Sequence, residues 1–396
     1  MKVYSFDEVI ERQGTDCLKY DRLDRYFGKK NLMPFWVADM DFRTPDFIVD
    51  ALKQRCEHPV FGYTFPSDSY AESIRRWIHA LYGWEVRSEW LSFIPGVVKG
   101  IALALEYFTR PGDGVIIQPP VYHPFRIVPE SLQRRVVYNP LRLSNGVYEM
   151  DFDHLESVID RDCKALILSS PHNPGGIVWT RETLQKLAEI CHRRRLLVLA
   201  DEIHAEMVWP AFTHHAFPTV SSEAAECSIV FMAPSKTFNI AGIVSSYAVV
   251  PNDALRRAFY TFLKAGEFHE GTIFSYIAAT AAYTHGAEWR RQMLEYVMGN
   301  MALVDTFLAE HLPQIKLYPP QASFLAWLDC RELGLSQQEL VRLVEDKAGL
   351  AFNNGVTFGK EGTGYMRMNV GCPRSRVEQA LFALKKAVNS LSACRQ

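Results

Sequence analysis

Lys236 lies in the run MAPSKTFNIAG (232–242), directly after the apolar stretch SIVF (228–231). A lysine just past a buried strand has water on one side and apolar walls on the other, which lowers its pKa and frees the nitrogen lone pair. Such an amine attacks carbonyl carbons, and an aldehyde would be captured as an imine. A lysine in a polar loop is ordinarily a solvated surface charge; what argues otherwise here is its company. The apolar run LLVLA (196–200) ends in Asp201-Glu-Ile-His204, and the run ALIL (165–168) ends in SSPHNPGG (169–176), which carries Asn173. A carboxylate, an imidazole, a carboxamide and an amine therefore each follow a short apolar run.

Continuous apolar runs of this length are the pattern of strands buried on both faces of a parallel sheet. Open parallel sheets collect ligands at the carboxyl ends of their strands, so three neighbouring ends carrying Asn173, Asp201 and Lys236 point to one crevice. From about residue 93 to 250 such runs alternate with helical patterns, which predicts repeated βα units. Thr180 followed by Leu184, Leu187, Ala188 and Cys191 shows the helical spacing, with Glu182, Lys186 and Glu189 on the outward face. The segment PGVVKG (95–100) precedes an apolar helical stretch over 101–108. Backbone N–H groups near Gly96, Val97 and Val98 could there cradle an anion at a helix start, although this is neither a GxGxxG nor a P-loop pattern. After His285 the texture changes to a long helical stretch over 288–310 and a mixed tail. The expected organisation is a large domain over 49–285 and a smaller one built from 1–48 and 286–396.

A chain of 396 residues is too long for one simple core, in keeping with two domains. Lys plus Arg number 43 against 45 Asp plus Glu, a formal net charge of −2 with both signs interspersed, so no electrostatic footprint for nucleic acid or an anionic membrane is expected. Arg193, Arg194 and Arg195 read as the exposed end of a helix. The eight cysteines, Cys17, Cys56, Cys163, Cys191, Cys227, Cys330, Cys372 and Cys394, contain no CxxC pair, which argues against a disulfide framework and against a metal site. The amino terminus shows no apolar signal-peptide core, and no apolar run approaches the ~20 residues of a membrane span. A cytoplasmic setting is the expectation.

These segments resemble the fold-type I pyridoxal-phosphate enzymes, and several resemble the cystathionine β-lyase (C–S lyase) branch of the class I/II aminotransferase superfamily. The resemblance runs through most of the chain: PFWVADMDF (34–42), FGYT (61–64), PGVVKG (95–100), QPPVYHPF (118–125), HNPGG (172–176), DEIH (201–204), the Lys236 segment, GYMRMN (364–369) and CPR (372–374). It implies an α/β fold of the aspartate aminotransferase type, with a mainly parallel sheet flanked by helices in the large domain and a smaller α+β domain. It further implies pyridoxal 5′-phosphate as cofactor, a small amino acid as substrate, and a homodimer whose active site is shared between subunits.

Carried over residue by residue, the resemblance gives Lys236 the imine to the cofactor and the removal of the substrate's Cα proton. Asp201 would hold the proton on the pyridine nitrogen. His204 occupies the place where many relatives carry a tyrosine near the cofactor's phenolic oxygen, and Asn173 matches the asparagine that bonds this oxygen and the substrate carboxylate. Tyr122 would stack on the ring; Gly96, Val97, Val98 and Ser235 would face the phosphate, and Tyr63 the phosphate of the neighbouring subunit. Arg367 would grip the substrate carboxylate through two parallel hydrogen bonds, and the 36–42 segment, including Ala38, would line the substrate pocket. Each residue also has a plain structural reading: Asp201 as a turn cap, His204 and Tyr122 as core side chains, Asn173 as an Asn-Pro turn, and Arg367 as a surface ion pair. Two positions depart from the pattern of many aminotransferases, which have a serine three residues before the lysine and an arginine eight after it. Here these are Ala233 and Val244, so phosphate anchoring must differ in part. The reading that follows is β-elimination on a sulfur amino acid, giving thiol, pyruvate and ammonia. The alternatives are an aminotransferase passing its amino group to a 2-oxo acid, and a cofactor-binding regulatory protein with little turnover.

Overall fold

The computed structural model describes residues 2–144 and 146–393. Its centre is a seven-stranded sheet built from β2 (Leu91–Ile94), β3 (Gly114–Ile117), β4 (Arg135–Tyr138), β7 (Cys163–Ser169), β8 (Leu197–Asp201), β9 (Ser228–Met232) and β10 (Ser246–Val249), in the order β2-β10-β9-β8-β7-β3-β4. Four adjacent pairs, from β9 through to β4, are parallel, and β10 alone runs against its neighbours β9 and β2. The continuous apolar runs of the sequence are accounted for by this arrangement: every residue of β3, β9 and β10 is buried, because helices cover both sheet faces.

The helices form where the sequence supplies both an apolar stripe and a cap. In the helix Arg181–Arg193, the Thr180 side chain accepts a hydrogen bond from the Thr183 N–H, and Leu184, Leu187, Ala188, Ile190 and Cys191 face inward. Lys186 and Glu189 on its other face are exposed, as are Arg193, Arg194 and Arg195 at its end. The helix Val97–Phe108 is drawn unusually close to the sheet at Gly100, where a Cβ would lie 2.5 Å from Ile94 Cδ1 and 2.9 Å from Phe231 Cε1. Only glycine permits that approach, and it seats the start of this helix at the edge of the crevice beyond β9 and β10.

The carboxyl-terminal part is α+β: β11 (Lys316–Leu317), β12 (Leu325–Asp329), β14 (Asn353–Asn354) and β15 (Tyr365–Asn369) form an antiparallel sheet in the order β11-β12-β15-β14. The 25-residue helix Ala287–His311 and the helix Arg374–Ala393 accompany it. The amino-terminal segment joins this part through β1 (Met33–Pro34), which pairs in parallel with β13 (Leu350–Ala351). A small hairpin, β5 (Arg142–Ser144) and β6 (Val147–Glu149), completes the strands. No helix among the described residues is long and apolar enough to cross a membrane. The seven described cysteines are all unpaired; Cys394 lies outside the described residues.

Candidate active site

Three parallel strands end side by side, with Ser169 of β7 opposite Asp201 of β8 and Asp201 opposite Phe231 of β9. Just beyond these ends lies a cavity of about 300 Å³ lined by Ala38, Gly96, Val97, Val98, Tyr122, Asn173, Asp201, His204, Ser235 and Lys236, among others. Ten of the twelve residues singled out by sequence thus line one cavity. Arg367 stands directly behind it, donating from Nη1 to Asn173 Oδ1 at 2.9 Å. Tyr63 is the exception: it is fully exposed in this chain and lies by a separate groove near Val60 and Phe65.

Lys236 is half-buried as a residue, and its Nζ donates to the Ala38 carbonyl at 2.6 Å. Burial lowers its pKa to about 8; Asp39 and Asp201 pull it upward and Arg367 pushes it further down. The amine therefore titrates near neutrality, as a nucleophile or proton acceptor requires. Across the cavity Asp201 accepts a hydrogen bond from the Ile203 N–H at 3.0 Å, which is the turn-capping role, but among the described residues its second oxygen takes no hydrogen-bond partner. Burial raises this carboxyl to about 7, with the Ile203 bond and Lys236 opposing the rise. A cation set against Asp201 would restore its charge.

His204 is buried, its Nδ1 3.1 Å from Ser323 Oγ. Burial, with the positive charges of Lys236 and Arg367, lowers its pKa to about 3, so the ring is neutral and offers a single N–H. Tyr122 lines the cavity and its phenol is pushed upward by burial, so the ring stays neutral as well.

Arg367 sits in β15 opposite Trp327 of β12, and the sheet holds its side chain in the interior. Its Nη2 donates to the Trp36 carbonyl at 3.0 Å and to Asn353 Oδ1 at 2.7 Å, and its plane lies over the Phe358 ring. Among the described residues it forms no ion pair, and its Nε has no partner at all. The surface ion pair considered from sequence is therefore replaced by a buried cation lacking a counter-ion. Burial lowers its pKa to about 10. Such a group is costly to fold and is balanced only by an arriving anion.

The 36–42 segment forms one wall. Asn369 Nδ2 donates to the carbonyls of Val37 and Asp39, both at 2.6 Å; Asn239 accepts from the Met40 N–H and donates to the Phe42 carbonyl. Asp39 and Asp41 are held in turn by Arg12 and by the fully buried Lys19. Sequence reading missed these supporting residues, together with Asn353, Ser323 and the lining residues Lys99, Ser245 and Ser246. Asn369 was within reach, since it lies two residues from Arg367 in the GYMRMN run.

The donor set suits pyridoxal phosphate: one buried amine for an aldehyde, a buried carboxylate with a free oxygen for a pyridine nitrogen, an aromatic wall, and a helix start with hydroxyls for a phosphate. Comparison with known proteins agrees. Residues 30–384 match the model of the aminotransferase class I and II family. The chain is 38% identical to the cystathionine β-lyase PatB of Bacillus subtilis, over 97% of this chain and 100% of that protein. It superposes with a TM-score of 0.95 on a PLP-bound putative aminotransferase from Clostridium difficile, at 38% identity over 98% of this chain and 100% of the other. With the PLP-bound C–S lyase from Staphylococcus hominis the TM-score is 0.90, at 30% identity over 98% of each chain.

Proposed function

The chain belongs to the aminotransferase class I and II family, and on that premise we propose that it is a pyridoxal-phosphate-dependent carbon–sulfur β-lyase. The overall reaction converts a sulfur amino acid such as cystathionine, with one water, into a thiol, pyruvate and ammonia. The observation that carries the reading is the pairing of a half-buried, low-pKa Lys236 that lines the cavity with a buried Arg367 directly behind it, bonded to the lining residue Asn173 and without a counter-ion among the described residues. Together they fit the amino and carboxylate ends of an amino acid.

When bound, pyridoxal phosphate supplies an aldehyde for amine exchange and a ring that accepts the electron pair left at the substrate's Cα. The residues that would hold it are Asp201 toward the pyridine nitrogen, Tyr122 against the ring, and Asn173 and His204 toward the phenolic oxygen. Gly96, Val97, Val98 and Ser235 would hold the phosphate, where the N–H groups of a helix start favour an anion. Arg367 and Asn173 fix the substrate carboxylate, and this orientation decides which bond at Cα is aligned for breaking. Lys236, whose amine loses its proton around pH 8, takes the Cα proton and later returns one. Asn369 and Asn239 keep Ala38 and its neighbours packed over the amine, which limits water at the reacting carbon. A thiolate on Cβ is a competent leaving group, and its departure distinguishes this reaction from amino transfer.

The division into a unit over 49–285 and another from 1–48 with 286–396 is part of this proposal, as is a homodimer in which Tyr63 enters the partner's site. Support for the dimer comes from Val60, Phe61, Tyr63 and Phe65, four large apolar side chains within one short segment that are exposed to water in the single chain. The unpaired cysteines suit a reducing compartment, and we place the protein in the cytoplasm. Incubating the purified protein with cystathionine and measuring thiol and pyruvate tests the function. Equal release of both supports the lyase, whereas turnover that requires a 2-oxo acid and frees no thiol establishes the aminotransferase instead.

A further inference from the structure

The cavity has a chemical gap at its phosphate end. The position eight residues after Lys236, where many relatives have an arginine, is Val244; it lines the cavity and its backbone takes a positive φ of 56°. Ser246 of β10 pairs with Ile94 of β2, two residues before Gly96, so Ser245 and Ser246 lie beside the start of the helix Val97–Phe108. Ser245 is 1% exposed, and among the described residues its Oγ has no hydrogen-bond partner. The first turn of this helix contains no acidic residue, and among the described residues the only carboxylate lining the cavity is Asp201, at the end of β8. A phosphate dianion would meet partial charges here, but among the residues assigned to it no full positive one.

Lys99 fills that description. It lies in the first turn of the helix, lines the cavity, and its stem folds back toward the helix start, with Cδ 4.0 Å from where a Gly96 Cβ would be. Among the described residues it forms neither an ion pair nor a side-chain hydrogen bond, so its charge is uncommitted. We propose that Lys99 supplies the full positive charge that anchors the cofactor phosphate in this chain, in place of the arginine absent at Val244, with the Ser245 hydroxyl as an added donor. The inference rests on the proposed cofactor-dependent function.

The test is retention of cofactor by the holoenzyme, read as cofactor absorbance after equilibrium dialysis, for wild type, Lys99→Met and Lys99→Arg at low and high ionic strength. Lys99→Met should weaken retention by roughly fivefold to tenfold at low salt, the effect of one charge-assisted contact in a partly open site. The gap should narrow at high salt, since screening weakens the wild-type contact, and Lys99→Arg should stay close to wild type. Lys99→Gln repeats the measurement should the methionine variant fold poorly. Equal retention by wild type and Lys99→Met would overturn the inference, as would a loss indifferent to salt, which would indicate packing rather than charge. Failure of the wild type itself to take up pyridoxal phosphate would instead overturn the functional reading beneath it.

Discussion

Replacing Arg367 should separate substrate capture from folding. The guanidinium has five N–H donors, of which three are engaged by Asn173, Trp36 and Asn353. Two therefore remain for a ligand, including the buried Nε–H that has no partner. Charge-assisted hydrogen bonds contribute about 1.5–3 kcal/mol each, so losing two costs about 3–6 kcal/mol, or roughly two to four orders of magnitude in kcat/KM. Arg367→Leu should show this loss in thiol release from a sulfur amino acid, first as a raised KM and then as a lower kcat where carboxylate placement also aligns the Cα–H bond. Arg367→Lys keeps the charge but not the planar fork and should lose roughly one to two orders of magnitude. Folding pulls in two directions: the variant no longer buries an unbalanced cation, but it leaves the Asn173 and Asn353 oxygens without donors. Tm should accordingly move little while activity collapses. A kcat/KM within threefold of wild type would refute the assignment, and a loss matched by unfolding would refute the argument that this arginine waits for a ligand.

Other outcomes follow from the same geometry. Lys236→Ala should keep the fold, by circular dichroism, yet release no thiol at any substrate concentration; measurable steady turnover would contradict its role. Between pH 4 and 7 the native Asp201, raised to about 7, binds more protons than its unfolded counterpart, so the cofactor-free protein loses stability as pH rises through that window. Asp201→Asn lacks this loss, and the stability difference from wild type should grow by about 2–4 kcal/mol from pH 4 to 7 in denaturant titrations; a flat difference would contradict it. Glu206 is raised in the same way but is common to both proteins and cancels. Tyr63→Ala should weaken cofactor retention only if the protein is dimeric, which sedimentation at several concentrations determines independently.

The large sheet was readable from sequence because its strands are buried on both faces and leave short continuous apolar runs. The three residues that follow such runs, Asn173, Asp201 and Lys236, fell on one cavity for the same reason. The reversed direction of β10 was not readable, because its short run is buried like those of the parallel strands and carries no sign of direction. Arg367 was found by its motif, but its lack of a counter-ion depends on what Trp36, Asn353 and Phe358 bring to it from distant segments. The Arg12, Lys19, Asp39 and Asp41 cluster was likewise invisible, since single charges along a chain look solvated until folding buries them. Lys99 lies inside the PGVVKG run, but the backbone amides of its neighbours account for that run without it, so its role needs the fold to become visible.

The account depends most on a covalent bond between the cofactor aldehyde and the Lys236 nitrogen. Borohydride reduction of the holoenzyme followed by peptide mass spectrometry locates that bond directly. The expected result is a single reduced adduct on the peptide containing Lys236, absent from Lys236→Ala; an adduct on another lysine, or none after saturation with pyridoxal phosphate, would contradict it.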